Sequence, residues 1–335
     1  MFEGKKILIT GGTGSLGQAL VEKLLKYEID TIRILSRNES KQIEMESKFK
    51  EPRLRFLLGD IRDKDRLIRA TEDIDIVFHA AALKHVPKIE YNPFEAINTN
   101  VIGSQNVIDA CLMNKVEKAV CIGTDKSVSP LNTYGATKLL MEKLFVTANN
   151  YLDPKKHPTK FIAVRYGNVL GSSGSVIPIF LQQIKNNEKI TITDPEMTRF
   201  SITMDAALEF ILTATNFGKG SEIFVPKMTA YTIKNITEAL HQLYGNFKEE
   251  IIGIRLGEKL HEFLISDEEV RFTWELNNMY LISSPLYDMF HSRTISESYQ
   301  NITKINNVKN FSSEVAEKIS TQELVKMISS FNLKM

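Results

Sequence analysis

Short apolar segments alternate with helix-like stretches through the first half of the chain. The apolar segments are predicted to be β-strands at residues 6–10, 31–36, 54–58, 74–79, 118–123 and 161–166. Helices are predicted between them, most clearly over residues 18–26, 96–114 and 134–151. Alternation at this pace predicts βαβ units with right-handed crossovers. The expected fold is therefore α/β, with a doubly wound parallel sheet.

The regular alternation ends near residue 167, which suggests a second, smaller domain. Helices are predicted there over residues 176–186, 205–217 and 232–244, with a strand over 222–226 and a loop over 296–313. A final helix is expected from Ser320, where Glu323 completes a capping box. The length of 335 residues suits two domains. We predict domains at residues 1–167 and 168–335, with about 199–226 returning to the first.

Composition argues against several classes of partner. Lys and Arg total 42 against 41 for Asp and Glu, so no excess of positive charge favours nucleic acid or an anionic membrane. No apolar run approaches the ~18 residues of a membrane span, and the first residues enter a strand directly. Two cysteines cannot form a disulfide framework. We predict a cytoplasmic protein without nucleic-acid or membrane partners.

No metal site is expected from the sequence. His79 and His85 form the closest histidine pair, and neither Cys nor a carboxylate joins them at metal-ligand spacing. His79 is predicted to be a hydrogen-bonded residue of the core.

Three glycines follow the first predicted strand and open the first predicted helix. Gly11, Gly14 and Gly17 form a Gly-x-x-Gly-x-x-Gly pattern. Gly11 would permit the tight turn, Gly14 would let the backbone approach a pyrophosphate, and Gly17 would let helix and strand pack closely. The helix N-terminus would then face the anion. This context favours a dinucleotide-binding turn over an ordinary glycine-rich turn.

The residues after the next strands indicate which dinucleotide is expected. An NAD site carries an acidic side chain after the second strand, whereas this chain has Ser36 and Arg37, with Lys41 one turn later. Arg37 offers a planar fork that suits a 2′-phosphate, which predicts NADP; the alternative is that Arg37 and Lys41 form a solvated surface. The adenine and the rest of the cofactor are expected against Asp60, Ile61, Ala80, Ala81 and Ala82.

Tyr134 and Lys138 lie four residues apart at the start of a predicted helix, so their side chains share one face. A nearby ammonium lowers the pKa of a phenol, which would let Tyr134 act as a base near neutral pH. Thr124, at the end of the fifth predicted strand, could bind the same substrate oxygen. With the glycine turn, these residues resemble the short-chain dehydrogenase/reductase superfamily. The helix length and second domain resemble its extended branch, which acts on nucleotide sugars.

Asp125 and Lys126 follow Thr124 and add a second acid/base pair. The alternative is that Asp125 caps a turn while Lys126 is solvated. Because sites in such sheets gather at the carboxyl ends of strands, a catalytic role is favoured.

Several segments together resemble the UDP-N-acetylglucosamine 4,6-dehydratases, most closely the carbon-5-inverting type that opens pseudaminic acid synthesis. They are Thr13-Gly-Ser, Ala81-Ala-Leu-Lys-His-Val-Pro, Thr124-Asp-Lys, Tyr134-Gly-Ala-Thr-Lys, Ile192-Thr-Asp and Gly257-Glu-Lys-Leu-His-Glu. The resemblance spans about residues 5–265 and implies a Rossmann-like NADP-binding domain with a smaller substrate domain. It also implies UDP-N-acetylglucosamine as substrate and a homo-oligomer, with hexamers among the family's assemblies. The product would be a UDP-4-keto-6-deoxy-N-acetylhexosamine for surface glycan or nonulosonic acid synthesis.

The same resemblance implies roles for individual residues. Asn168, Arg199 and Arg255 would meet the substrate diphosphate, for which forked and permanently charged donors are suited, and Glu258 would meet the nucleoside ribose. Lys84 and Val176 would also contact substrate. The cofactor-binding set would further include Thr13, Ser15, Leu16, Lys84, Tyr134, Lys138 and Tyr166.

In the implied mechanism, Tyr134, assisted by Thr124 and Lys138, removes the proton of the sugar 4-hydroxyl while hydride passes to NADP. Lys126 then removes the carbon-5 hydrogen, provided that burial and Lys138 lower its pKa. Asp125, in its protonated form, serves the departing 6-hydroxyl. Two other functions remain open. A nucleotide-sugar 4-epimerase would leave Asp125 and Lys126 without a chemical task, and a non-catalytic NADP-binding sensor would have no need of a tuned phenol.

Overall fold

The computed structural model describes residues 1–151, 153, 156–172, 174–287, 294–305 and 311–330. The strands, β1 to β15 in chain order, are Lys6–Thr10, Thr31–Ser36, Leu54–Leu58, Ile76–His79, Lys118–Ile122, Lys160–Val164, Asn168–Val169, Ile190–Ile192, Thr198–Ile202, Glu222–Pro226, Thr229–Thr232, Glu249–Ile251, Thr273–Leu276, Met279–Ser283 and Ile302–Lys304.

The α-helices, α1 to α13, are Ser15–Leu24, Glu39–Phe49, Lys64–Thr71, Val86–Tyr91, Pro93–Ala96, Gly103–Met113, Thr133–Ala148, Val176–Lys185, Met204–Phe217, Ile233–Tyr244, Asp267–Val270, Ile295–Ser298 and Thr321–Ser330. A π-helical stretch, Ile97–Ile102, leads into α6, and 3-10 turns cover Asp125–Ser127 and Asn149–Tyr151.

Ten strands form one sheet in the order β15-β13-β14-β10-β6-β5-β4-β1-β2-β3. The seven strands from β10 to β3 in that order pair in parallel. One apolar cluster on the sheet takes in side chains of α1, α2 and α9, and the other takes in those of α3, α6 and α7. The predicted doubly wound α/β fold is confirmed. Its parallel strands place their carboxyl ends, and the segments that follow them, at a common edge.

The apolar pattern of the sequence correctly predicted most strands and helices in the first half of the chain. The strands predicted at 6–10, 31–36, 54–58 and 222–226 have those bounds, and the others differ by at most two residues. The helix predicted over 96–114 consists of α5, the π-helical stretch and α6 in succession. The capping box is also confirmed, since the Ser320 amide donates to Glu323 Oε2 at 3.0 Å and the Glu323 amide donates to Ser320 Oγ at 3.3 Å.

The second half extends the large sheet and also builds a separate layer. Strand β10 pairs with β6, and β14, β13 and β15 continue the sheet in antiparallel fashion. Two smaller sheets, β11-β9-β7 and β12-β8, are separate from the large sheet. Helices α8, α10 and α13 supply much of a third apolar cluster. The division into domains at residue 167 stays a prediction.

The loop predicted over 296–313 is wrong in part. Residues 295–298 form α12 and 302–304 form β15, while 306–310 lie outside the described residues. The strand exists because its backbone pairs with β13, and the Lys304 ammonium lies 4.5 Å from the centre of the Trp274 ring. Such non-local pairing leaves little trace in local apolar content.

Among the helices of the described segments, none is long and apolar enough to span a bilayer.

Glu222, at the start of β10, is a buried acid far from the carboxyl edge of the parallel strands. Its side chain is fully buried and accepts hydrogen bonds from the Tyr299 hydroxyl at 2.6 Å and the Gly220 amide at 2.7 Å. Burial raises the pKa of Glu222 from 4.5 to about 7, although these hydrogen bonds act in the opposite direction.

Glu222→Gln should therefore remove a pH dependence of stability. Between pH 4.5 and about 7 the folded wild type binds more protons at Glu222 than the unfolded chain, so its stability falls as pH rises. Relative to the variant, the wild-type free energy of unfolding should drop by up to about 3 kcal/mol across this window. Urea unfolding of both proteins from pH 4 to 8 measures the difference. The exposed Glu44→Gln serves as control, and a constant difference between wild type and Glu222→Gln would refute the prediction.

Candidate active site

The glycine-rich turn lies between β1 and α1. Gly11 has φ +68°, and a Cβ there would lie 2.8 Å from the Ala81 backbone. A Cβ on Gly17 would lie 2.5 Å from the backbone of Gly12. The predicted tight turn at Gly11 is confirmed, and Gly17 packs closely against Gly12 of the turn rather than against a strand. Gly12, which the pattern did not single out, packs against Ile34 of β2.

Gly14 differs from its two neighbours in the pattern. Its φ is −74°, and an added Cβ would meet only the Gly11 carbonyl oxygen, at 3.2 Å. As the N-cap of α1 it provides no side chain to cap the helix, so the first-turn amides are left to another acceptor. Thr13 is buried beneath the turn, Ser15 is exposed and Leu16 is half-buried. This arrangement fits the pyrophosphate of a dinucleotide at the helix N-terminus.

The ends of β2 and β3 place the expected NADP-selecting residues side by side. Arg37 is exposed, with Nη1 3.7 Å from Asp60 Oδ2. Asp60 also accepts from Arg62 Nη2 at 2.7 Å. Burial acts to raise the pKa of Asp60, but Arg62 and Arg37 outweigh it and the pKa is lowered. Lys41 is exposed on α2, and Ile61 is buried in the core.

Gln42 is a residue of this region that sequence reasoning missed. It is buried, and its Nε2 donates to Ser36 Oγ at 2.9 Å and to the Leu57 carbonyl at 2.9 Å. The Ser36 hydroxyl therefore accepts a hydrogen bond from buried Gln42, and its own hydrogen stays available for another acceptor.

The segment after β4 borders a cleft of about 300 Å³. The cleft is lined by Ala82, Leu83, Lys84, His85, Lys88, Ile89, Asn92 and Glu95. Ala80, Ala81 and Ala82 are half-buried, and Lys84 is exposed. Beneath them His79 bonds to Thr10 Oγ1 at 2.7 Å and to Ser104 Oγ at 3.0 Å, which confirms it as a core residue. Burial lowers its pKa to about 3.

The turn after β5 holds the predicted acid/base pair. The Asp125 amide donates to the Tyr166 carbonyl at 3.0 Å, which ties the turn to the end of β6. Asp125 is fully buried, and its Oδ1 accepts from the Thr124 hydroxyl and from Lys126 Nζ, each at 3.0 Å. Lys126 Nζ also donates to Asn168 Oδ1 at 3.0 Å. Asp125 Oδ2 is buried and has no hydrogen-bond partner among the residues that the structure describes.

Tyr134 and Lys138 project from the first turns of α7. Thr124 lies close enough to Tyr134 to oppose the rise of its pKa, so the Thr, the Tyr and the Asp–Lys pair meet at one point. Tyr166 is buried close enough to Tyr134 to affect its own ionisation. Lys138 is buried and donates to the Ile122 carbonyl at 2.6 Å. The structure thus brings together four predicted catalytic residues, Thr124, Asp125, Lys126 and Tyr134, whereas the Lys138 ammonium is turned toward β5.

The expected pKa of Tyr134 is wrong in direction. Burial raises the pKa of Tyr134, and the ammonium that opposes this rise belongs to Lys126. Burial also lowers the pKa of Lys138.

The predicted lowering of the pKa of Lys126 is wrong as well. Burial alone would lower its pKa, but the nearby carboxylates of Asp125 and Glu262 outweigh it, and the pKa is raised. Lys126 is therefore held as an ammonium at neutral pH.

The substrate-binding residues expected from the resemblance lie around this centre in different environments. Arg199 is buried and donates to the carbonyls of Thr198 at 2.7 Å and Leu260 at 3.2 Å. Arg255 is exposed, with Nη1 3.9 Å from Glu258 Oε1. Val176 is the first residue of α8 and is half-buried. Their contacts with a diphosphate stay predictions.

The loop that carries Arg255 and Glu258 is fastened to the start of α7. Asn132, the N-cap of α7, donates from Nδ2 to the Gly257 carbonyl at 2.7 Å. Lys259 Nζ donates to the Val128 carbonyl at 2.5 Å. The loop thus borders the segment between Asp125 and Tyr134.

Arg165 has a role that the sequence did not indicate. It is fully buried and pairs with Glu142 of α7 at 2.6 Å and with Glu269 of α11 at 2.8 Å. Its Nη1 also donates to the Leu264 carbonyl at 2.9 Å. Arg165 therefore joins the catalytic helix to the second half of the chain.

Comparison with known proteins places the chain in a family. A family model described as "Polysaccharide biosynthesis protein" matches residues 7–284. The chain belongs to this family. The UDP-N-acetylglucosamine 4,6-dehydratase (inverting) of Campylobacter jejuni is 50% identical over 285 residues, 84% of each chain. A protein of Rickettsia bellii named UDP-glucose 4-epimerase is 40% identical over 334 residues, 98% of this chain and 96% of its own.

Solved structures agree with this family membership. Pen from Bacillus thuringiensis matches with a TM-score of 0.88 and 40% identity over 98% of both chains. The dTDP-glucose 4,6-dehydratase DesIV from Streptomyces venezuelae, solved with NAD, matches with a TM-score of 0.69 at 22% identity over 76% of this chain and 86% of its own, which shows the shared fold. The fold is thus that of the Rossmann-like, extended short-chain dehydrogenases/reductases. The dehydratase relative covers 84% of this chain, whereas the Rickettsia and Bacillus proteins match almost the whole chain.

Two glycine substitutions in this family member should separate binding from folding. Gly14→Ala adds an exposed methyl group 3.2 Å from the Gly11 carbonyl oxygen, where the pyrophosphate is expected, so it should weaken dinucleotide binding about ten-fold or more and cost less thermal stability than Gly17→Ala. Gly17→Ala forces a methyl group against the Gly12 backbone and should lower the melting temperature by several degrees. Calorimetric titration with NADP and thermal unfolding test both. Equal effects of the two variants on binding and on stability would contradict these assignments.

Proposed function

We propose that the chain is an NADP-dependent UDP-N-acetylglucosamine 4,6-dehydratase, a hydro-lyase that inverts carbon 5. The observation that carries the proposal is the Asp125–Lys126 pair, hydrogen-bonded and set beside Thr124 and Tyr134. Removal of a carbon-bound proton and loss of a hydroxyl require a base and an acid beyond the pair that oxidises carbon 4. The 50% identical relative bears the name of this activity.

NADP fits the residues at the ends of β1, β2 and β3. The uncapped N-terminus of α1 suits the pyrophosphate, and the exposed guanidinium of Arg37 suits a 2′-phosphate. When bound, the nicotinamide would take a hydride from carbon 4 and return one to carbon 6, so no net oxidation remains.

The first step falls to Tyr134 and Thr124. The two side chains lie close together, so both can contact the sugar 4-hydroxyl. Tyr134 accepts the proton of that hydroxyl, and Lys138 assists from the same face of α7. Since burial raises the pKa of Tyr134, the positive charges of the site must favour its ionisation during this step.

The elimination falls to Lys126 and Asp125. A 4-ketone acidifies the carbon-5 hydrogen, because the resulting carbanion delocalises as an enolate. A single proton that moves from Lys126 Nζ to Asp125 across their 3.0 Å hydrogen bond produces both the free amine and the carboxylic acid that this step uses. The amine takes the carbon-5 hydrogen, and the acid protonates the departing 6-hydroxyl. A proton returned to the opposite face of carbon 5 inverts that centre.

A nucleotide-sugar 4-epimerase is the second candidate, favoured by the name of the Rickettsia relative. That reaction needs only the Thr124, Tyr134 and Lys138 set, and Asp125 and Lys126 would then have no chemical task. The remoter candidate is a non-catalytic NADP-binding sensor, which would not need the buried Tyr134. Cytoplasmic location, the nonulosonic acid pathway and a homo-oligomeric state, hexamers included, remain predictions from the sequence.

Product analysis and Lys126→Met test the proposal together. Wild-type protein with UDP-N-acetylglucosamine should give a 4-keto-6-deoxy sugar; a 4-epimer would identify the second candidate, and no product the sensor. In Lys126→Met, exchange of the carbon-5 hydrogen with solvent deuterium should be abolished while NADP binding stays intact. The measurement is NMR of the recovered sugar, with the exposed Lys48→Met as control. Exchange at the wild-type rate in Lys126→Met would rule out Lys126 as the base.

Arg37→Asp tests the cofactor. The substitution removes the donor for a 2′-phosphate and supplies an acceptor for ribose hydroxyls, so the ratio of NADP to NAD affinity should fall by about ten-fold or more. Titration of both dinucleotides into wild type and variant measures the ratio. An unchanged ratio would mean that Arg37 belongs to a solvated surface.

A further inference from the structure

Glu262 is a buried carboxylate beside the catalytic pair that the proposed mechanism does not use. Only 3% of its surface is exposed. Its Oε1 lies 3.7 Å from Lys126 Nζ and 3.9 Å from Arg199 Nε, and its Oε2 lies 3.8 Å from Lys259 Nζ. Within the described part of the chain, Oε2 has no hydrogen-bond partner. A buried charge that lacks hydrogen bonds lowers the stability of the fold unless nearby opposite charges compensate it.

The backbone holds Glu262 in this position. Its amide donates to Ser313 Oγ at 2.8 Å, and its carbonyl accepts from the Ser313 amide at 2.8 Å. Ser313 Oγ in turn shares a hydrogen bond of 2.7 Å with Thr198 Oγ1, one residue before Arg199. The carboxylate is therefore held near Lys126 by the hydrogen bonds of its backbone to Ser313 and, through Ser313, to Thr198 of β9, rather than by a direct hydrogen bond to Lys126.

The charged and titratable groups around Lys126 come from five segments, because Tyr231 of β11 is titratable as well. Asp125 and Tyr134 approach from the catalytic turn and from α7, Arg199 from β9, and Lys259 and Glu262 from the loop after β12. Asn168 and Tyr231 are the polar neighbours on the remaining side. Only Asp125 and Glu262 in this group carry negative charge. Asp125 is protonated in the proposed elimination, which leaves Glu262 as the second carboxylate beside Lys126.

We propose that Glu262 is a positioning residue that keeps Lys126 protonated and directed toward Asp125 and Asn168 until the reaction draws a proton from it. This inference rests on the proposed function, because Lys126 has a catalytic role only within that function. Glu262 does not touch the sugar and acts through its charge on Lys126.

The charge state of Lys126 can be measured without turnover. Only the neutral amine reacts with acetic anhydride, so competitive labelling from pH 7 to 10.5, with the Lys126 peptide quantified by mass spectrometry against exposed Lys48, reports its titration. Glu262→Gln removes one of two carboxylates that favour the ammonium, so labelling of Lys126 at a given pH should rise about three-fold or more. Glu262→Asp keeps the charge and should restore most of the wild-type reactivity.

Glu314→Gln is the matched control. Glu314 is an exposed carboxylate 3.8 Å from His261, the neighbour of Glu262, and its loss should leave Lys126 labelling unchanged. Circular dichroism checks that each variant is folded. Unchanged Lys126 labelling in folded Glu262→Gln would overturn the proposal. If Glu262→Gln does not fold, equal labelling of Lys126 in Glu262→Asp and in the alkyl variant Glu262→Leu would overturn it instead.

Activity supplies a separate readout. If Lys126 removes the carbon-5 hydrogen, the acid limb of the pH profile for solvent exchange should move to lower pH in Glu262→Gln. A purely structural Glu262 would change KM or thermal stability and leave that limb in place. Failure of the proposed function would show as absence of the 4-keto-6-deoxy product in wild type, whereas failure of this inference would show in the labelling alone.

Discussion

The buried guanidinium of Arg165 holds the active site in its place. It leaves the end of β6 and pairs with Glu142 on α7 and Glu269 on α11. Removal of one partner from such a buried group costs about 3–5 kcal/mol, because the remaining charges are left uncompensated. The helix that carries Tyr134 and Lys138 therefore cannot move independently of the sheet. The loop that precedes α11, with Glu262, is held by the same interaction through the Leu264 carbonyl.

Charged side chains of this chain pair with one another in the site. Lys126 lies between Asp125 and Glu262, and the two carboxylates each keep one buried oxygen without a hydrogen bond. Unsatisfied buried oxygens of this kind lower stability by about 1–3 kcal/mol each. The fold tolerates this cost at the carboxyl edge of the sheet, where binding and proton transfer are expected. Fixed groups of this kind need little reorganisation when charge moves during a reaction.

Sequence reasoning succeeded where a feature depends on residues close in the chain. The strand at 6–10, the turn at Gly11 and the capping box at Ser320 are set by neighbours within a few positions. It failed where distant segments meet. The effect of Glu262 on Lys126, the hold of Gln42 on Ser36 and the pairing of β15 with β13 all depend on tertiary packing. The spacing of Tyr134 and Lys138 was informative, but burial decides the direction of their pKa shifts.

The antiparallel extension also changes the edge that the sheet offers to other molecules. An open edge of a parallel sheet exposes unpaired amides and carbonyls that can recruit strands from neighbouring molecules. Here β14, β13 and β15 continue the sheet beyond β10, and the last of them is three residues long and ends in Lys304. A short strand with a terminal lysine is a poor template for further pairing. The C-terminal segment thus extends the sheet with a margin that offers little to the strands of other molecules.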